Sequence, residues 1–162
     1  MRQERQEPRE PVELDASGWR CAIVAARYHD DLVMRLVEGA RECFEQHGVA
    51  AADVELLRVP GAWELPLALQ RLANSDAWDV LVALGVVIRG ETPHFDYVCR
   101  ESSAGIARIS LDHGVPIGFG VLTCDDTEQA SARSGGKAGN KGWEAAMAAL
   151  EMAQLLRRIG SP

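Results

Sequence analysis

Ionisable and aromatic side chains gather in four short stretches of the chain: Arg27–Asp30 (RYHD), Pro60–Pro66 (PGAWELP), Ile88–Tyr97 (IRGETPHFDY) and Thr123–Asp126 (TCDD). Aromatic faces can hold flat rings, carboxylates can accept hydrogen bonds from hydroxyls, and an imidazole can move protons near neutral pH. A fifth stretch has a different character. Arg133, Lys137 and Lys141 flank a glycine-rich turn, Gly135–Gly142, that opens into a helical pattern. Exposed backbone N–H groups at a helix start, with a guanidinium nearby, suit a phosphate. The same pattern suits a solvated basic loop, and spacing alone does not separate the two.

Several other chemistries are excluded. Gly118-Phe119-Gly120 lies inside an apolar run and lacks the third glycine of a dinucleotide fingerprint. The glycine-rich turn fails the phosphate-loop spacing, with Gly142 where a magnesium-binding Ser or Thr belongs. A phosphorelay receiver would need an aspartate ending the third strand, where this chain reads Gly85-Val86-Val87-Ile88. Cys21, Cys43, Cys99 and Cys124 are far apart in sequence and form no pattern with metal-ligand spacing. We expect no metal, and reduced thiols in a cytoplasmic protein.

The active stretches must be positioned by regular elements. Four apolar runs, Cys21–Ala26, Val54–Val59, Val80–Val87 and Pro116–Thr123, read as strands, two of them buried on both faces. Helical spacing covers Asp31–His47, Ala62–Asn74, Val98–His113, Thr127–Ser134 and Asn140–Ile159. Asn140 is a good N-cap, and Glu144 suits the first turn of the last helix. His47-Gly48 and His113-Gly114 read as helix C-caps, so these two histidines are assigned to capping. The alternation predicts an α/β sandwich, a four-stranded parallel sheet with helices on both faces. Ligands then bind beyond the carboxyl ends of the strands, where the four active stretches fall.

The bulk numbers agree. The 162 residues predict one domain, over residues 16–162, after an N-terminal arm at 1–15 that is flexible or lightly docked. The arm contains Pro8 and Pro11. With 17 Lys+Arg against 24 Asp+Glu, the net charge of −7 argues against nucleic acid as a partner. No apolar run is long enough for a membrane span, and no leader is visible. Only two of the 17 cations are lysines, and both lie in the glycine-rich turn.

Five strings then occur in order: VPGAWELP (Val59–Pro66), LGVVIRGETPHFDYV (Leu84–Val98), FGVLT (Phe119–Thr123), EQASARSG (Glu128–Gly135) and KAGNKGWEAA (Lys137–Ala146). Together they resemble the 6,7-dimethyl-8-ribityllumazine synthases, from Arg20 to the C-terminus. The resemblance implies a flavodoxin-like fold and homopentamers with active sites between subunits, in some members assembled into an icosahedral shell. It implies condensation of 5-amino-6-(D-ribitylamino)uracil with 3,4-dihydroxy-2-butanone 4-phosphate, the penultimate step of riboflavin synthesis, with no metal or redox cofactor.

The resemblance also implies roles for individual residues. Tyr28 stacks on the pyrimidine, where relatives usually carry Phe or Trp. Ala62, Trp63 and Glu64 hold the ribityl chain. Val86, Val87 and Ile88 read the pyrimidine edge through their backbone, and Phe119 closes the pocket from the adjacent subunit. Glu91, Thr92 and Arg133 bind the phosphate, with Lys141 close by. His94 shuttles protons; outside the RGETPH string it would read as a solvated loop histidine. Glu144 is expected to hold Arg133 by a salt bridge, and Lys137 is a plain loop cation. Ala132 departs from the Glu common before the phosphate-binding Arg, with Ser131 and Ser134 also unusual. Cys124 and Asp125 receive no role. The compact turn Ser134–Gly142 leans toward the shell, if the N-terminal arm docks on a neighbour. Two other readings are a non-catalytic member that binds flavin or lumazine or builds a shell, and the archaeal pentameric riboflavin synthase. Retention of His94, Arg133 and Lys141 together disfavours the first, and the full motif set disfavours the second.

Overall fold

A computed structural model describes residues 13–160. Residues 1–12 of the expected arm, with Pro8 and Pro11, lie outside the described residues. The last part of that arm rests on the domain: Leu14 packs against the core, and Gln154 Nε2 donates to the Glu13 carbonyl at 3.1 Å.

Four strands, β1 (Cys21–Ala26), β2 (Val54–Val59), β3 (Val80–Ile88) and β4 (Ile117–Cys124), form one parallel sheet in the order β2-β1-β3-β4. The helices are α1 (Asp30–Gln46), α2 (Leu65–Ala73), α3 (His94–His113), α4 (Thr127–Arg133) and α5 (Lys141–Ile159). A short hairpin, β5 (Ser134–Gly136) and β6 (Gly139–Asn140), bridges α4 and α5. This is the predicted flavodoxin-like three-layer sandwich. No described helix is long and apolar enough to cross a membrane.

Strand alternation divides the core in two. Cys21, Ile23 and Ala25 of β1 face α1 and α5 together with Val82, Leu84 and Val86 of β3. Ala22, Val24 and Ala26 face the opposite layer, with Leu65, Leu69, Ile106 and Ile109 of α2 and α3. Burial of a sheet on both faces accounts for the nearly unbroken apolar runs.

Helix α5 lies unusually close to its neighbours. A Cβ at Gly142 would overlap the Leu36 carbonyl of α1, and one at Gly118 would overlap the Ala145 carbonyl of α5. Asn140 fixes the docking. Its Oδ1 accepts from the Gly142 and Trp143 N–H groups at 2.9 and 3.2 Å, and its Nδ2 donates to the Arg35 carbonyl at 2.9 Å. The expected N-cap is therefore also a tie between two helices.

Two helix starts and one turn differ from expectation by more than a residue. The element after β2 begins as a 3-10 turn, Ala62–Glu64, before α2, because Gly61 is extended and Pro66 takes its place in the first α-helical turn. Helix α3 starts at His94, four residues earlier than its apolar spacing indicates. Pro93 has helical dihedrals just before the first helical residue and starts the turn without an apolar stripe. His94 is thus a first-turn residue and not a loop residue. The glycine-rich turn is the β5–β6 hairpin. At the capping histidines, Gly114 takes the left-handed conformation at φ 61°, and His47 Nδ1 lies 2.7 Å from the Cys43 carbonyl.

Two predictions follow from the packing. Gly142→Ala forces α1 and α5 apart and should cost about 1–3 kcal/mol, read as a lower urea midpoint. Burial pushes the Cys21 and Cys43 thiols up to about 12, helped by the negative charges of Asp79 and Glu151 respectively. Unfolded thiols deprotonate near the ordinary value of about 9, so the unfolded chain loses protons first. Stability should therefore fall as pH rises from 9 toward 12, and serine at both positions should flatten that fall.

Candidate active site

The carboxyl ends of β1, β2 and β3 open onto a cleft of about 670 Å³. Tyr28, Ala62, Trp63, Glu64, Val86, Val87, Ile88 and His94 all line it. These eight predicted residues come from the segments after β1 and β2, the end of β3 and the start of α3, and not from Thr123–Asp126; parallel pairing brings them together, with Ala26 and Val59 register partners at the ends of β1 and β2. Tyr28 and Trp63 are 69% and 57% exposed, so two large aromatic faces stand open to solvent beside the sheet.

Local backbone chemistry sets each group. His29, beyond Tyr28, holds a left-handed conformation at φ 58°, which non-glycine residues adopt at a cost. Its carbonyl accepts from Leu32 and Val33 at 3.0 Å each, starting α1 and turning Tyr28 outward over the cleft. Arg58 holds this corner by donating to the Ala25 and Ala26 carbonyls at 3.3 and 3.2 Å and pairing with Asp30. Glu64 Oε2 accepts from the Gly61 N–H at 2.9 Å, while the Glu64 N–H donates to the Gly61 carbonyl at 3.2 Å. One carboxylate oxygen thus closes the turn, and the other remains available to a ligand.

The loop from Arg89 to Pro93 is exposed and carries Glu91 and Thr92. Thr92 Oγ1 lies 3.5 Å from the His94 N–H, so both polar groups sit at the start of α3. His29, Gly61, Tyr97 and Val98 also line the cleft; the first three lie in the stretches named from the sequence but received no individual role there. Tyr97 is found by its spacing, three residues past His94 on the same helix. Asp125, which had no role, holds Arg89 Nε at 2.9 Å.

The phosphate-region residues are grouped differently. Lys141 and Glu144 pair with each other at 2.7 Å, so Glu144 does not hold Arg133 as expected. The reason is helical geometry: three residues apart in the first turn of α5, the two side chains meet directly. Arg133 ends α4 exposed, its Nη1 donating to the Gln129 carbonyl at 3.0 Å. Lys137 lies 3.8 Å from Glu128 and is exposed. Ala132 is buried beneath the hairpin, where its carbonyl accepts from the Ala138 N–H at 2.8 Å and Gly136 packs over it.

Phe119, Lys141 and Glu144 do not line the aromatic cleft. They line a second, apolar groove of about 610 Å³ between β4, the end of α3 and α5. Leu111, Ile117, Met152 and Leu156 share its walls. β4 is an edge strand, so this groove lies on the open flank of the sheet. Among the described residues, no three His, Cys, Asp or Glu side chains converge as metal ligands would.

An open parallel sheet with an aromatic, polar cleft beyond its carboxyl ends defines a small-molecule site in a flavodoxin-like α/β protein. Comparison with known proteins narrows that class. Residues 18–157 match the sequence profile of 6,7-dimethyl-8-ribityllumazine synthase. The chain is 53% identical over 147 residues to the 6,7-dimethyl-8-ribityllumazine synthase of Desulfovibrio desulfuricans, covering 91% of this chain and 94% of the relative. It is 52% identical over 146 residues to the enzyme of that name from Aquifex aeolicus, covering 90% and 95%. The chain belongs to the 6,7-dimethyl-8-ribityllumazine synthase family.

The cleft itself is testable. A Cβ at Gly61 would lie 2.8 Å from Tyr28 Cδ2, inside normal contact. Gly61 has φ −149°, which alanine tolerates, so Gly61→Ala should move the exposed ring and leave the fold intact. We expect shifted Tyr28 ring resonances with a stability change below about 1 kcal/mol.

Proposed function

We propose that this chain condenses 5-amino-6-(D-ribitylamino)uracil with 3,4-dihydroxy-2-butanone 4-phosphate to form 6,7-dimethyl-8-ribityllumazine. The observation that carries the reading is the cleft in which Tyr28, Trp63, Glu64, Val86–Ile88 and His94 meet. The pyrimidine stacks on Tyr28, and the backbone groups of Val86, Val87 and Ile88 read its edge. Ala62, Trp63 and the unengaged oxygen of Glu64 take the ribityl hydroxyls. Glu91, Thr92 and Arg133 bind the phosphate, with Lys141 near it.

The amine attacks the ketone, and an imine forms with loss of water. Phosphate then leaves, and closure of the second ring releases another water. His94 moves protons at these steps, since an imidazole suits transfer in both directions near neutral pH.

The complete site forms between two copies. Its support is the placement of Phe119, half-exposed on the edge strand β4 and outside the lining of the aromatic cleft of its own chain. An apolar groove along an edge strand suits a neighbouring copy, which would carry Phe119 toward that neighbour's cleft. We assign a homopentamer, with one domain per chain over residues 16–162; a shell of pentamers requires that the N-terminal arm dock on a neighbour. Light scattering measures the assembly directly. A cytoplasmic location is supported by four unpaired thiols.

Mixing the protein with the two substrates should produce fluorescent lumazine faster than their spontaneous condensation, and an unchanged rate would remove the enzyme reading. Arg133→Ala should weaken butanone-phosphate binding roughly 10–100-fold, as loss of a charge-assisted contact does, and change pyrimidine binding little. Equal weakening of both would contradict the phosphate assignment.

A further inference from the structure

One ion-pair cluster at the carboxyl rim has no part in the scheme above. Arg89 is the first residue past β3, and its N–H donates to the Cys124 carbonyl at 2.9 Å, extending the contact of β3 with β4 beyond the last register pair, Ile88–Cys124. Its side chain joins three elements. Nε is 2.9 Å from Asp125 Oδ1 at the end of β4, Nη1 is 3.4 Å from Asp96 Oδ1 in the first turn of α3, and the guanidinium lies 4.4 Å from the Phe95 ring centre. Asp125 is itself fixed, its N–H donating to Gln129 Oε1 of α4 at 2.9 Å. Hydrogen bonding to Asp125 strengthens the hold of Arg89 on its proton.

Between the two ends of this bridge runs the loop Gly90–Pro93, leading into His94. The loop has weak ties of its own. The His94 to Thr92 contact is long at 3.5 Å, and the space around Gly90 is open. Arg89 and Asp96 stand at the two feet of this loop, and Asp125 anchors one of them to the sheet.

We propose that Arg89 is a positioning residue, whose bridge to Asp96 and Asp125 sets the loop that presents Glu91, Thr92 and His94 to the cleft. The inference rests on the reaction proposed above. About half of each side chain is exposed, so these ion pairs add little to global stability. Placement of a reacting group is far more sensitive, since a displacement of about 1 Å can cost about 100-fold in rate. Stability and turnover should therefore separate. The two carboxylates already answer the charge of Arg89, which distinguishes it from Arg133, a cation with no carboxylate partner among the described salt bridges.

The test compares the full-length wild type with Arg89→Ala, Arg89→Lys, Asp125→Ala and the Arg89→Ala/Asp125→Ala double variant. We expect Arg89→Ala to lower kcat by roughly 10-fold or more and to raise KM for butanone phosphate, whose Glu91 and Thr92 contacts ride on the same loop, while KM for the pyrimidine stays within about twofold. Asp125→Ala should reproduce part of that loss, and the double variant should be no worse than Arg89→Ala alone. Lysine should restore only part, because a point charge cannot bridge two carboxylates as a planar fork does. An unchanged kcat, with or without a higher KM for butanone phosphate, or additive losses would overturn the proposal. So would loss of folding in both Arg89→Ala and Asp125→Ala, which would make the cluster structural. The His94 ring Hε1 resonance reports loop position without turnover, and it should shift in Arg89→Ala. If the wild type fails to accelerate the condensation, the reaction reading fails by itself. An unshifted His94 resonance overturns the positioning role whether or not the wild type turns over.

Discussion

The seating of the first turn of α5 against the middle of α1 is the constraint on which the rest of the molecule depends. Asn140 reaches both helices, accepting from Gly142 and Trp143 and donating to the Arg35 carbonyl. The approach is possible because Gly39 leaves room for the Asn140 side chain and Gly142 lies against the Leu36 backbone. On the sheet side, Gly118 lets the same helix settle over β4 at Ala145. The outcome is geometric: Lys141 and Glu144 are delivered to the flank of β4 beside Phe119. A side chain at any of these three glycines would push this corner out of its seat.

Charge is distributed with equal economy. The chain carries a net charge of −7, yet its two lysines sit in or next to one small hairpin. Each has a carboxylate within 4 Å, Glu128 for Lys137 and Glu144 for Lys141. Arg133 donates only to a backbone carbonyl among the described contacts, so its charge is the least neutralised of the three. Arginines elsewhere act as braces. Arg58 holds the turn bearing Tyr28, Arg89 ties Asp125 past β4 to Asp96 in the first turn of α3, and Arg157 stacks on Trp19 while pairing with Asp79 at 2.7 Å. The guanidinium suits this work because its fork reaches several acceptors and its flat face packs on rings.

How far the sequence could be read depended on the range of the interactions. Strands β1 and β2 were legible to the residue, since apolar runs bounded by polar turns are local signals. The start of α3 was not. His94–Tyr97 offers no clear apolar stripe, and the helix begins there because Pro93 has helical dihedrals and Phe95 is buried. The expected Glu144–Arg133 bridge failed for a related reason. A partner three residues away on the same helix outcompetes one across a hairpin, and pattern reading had not weighed that pair. Asp125 stayed mute because its partner, Arg89, is 36 residues distant.

The sequence by itself determined the layered class and the order of the elements, through periodicity, and the rim at which parallel strands present their carboxyl ends. It named the eight residues that meet at the cleft through the family resemblance. The family membership was also present in the strings of residues, order included. Only the tertiary structure decided which charges pair, how closely α5 approaches the sheet, and that Phe119 and Lys141 lie in a groove apart from Tyr28 and His94. Those matters depend on distances between segments far apart in the chain. A linear pattern carries no distance of that kind until the backbone has folded.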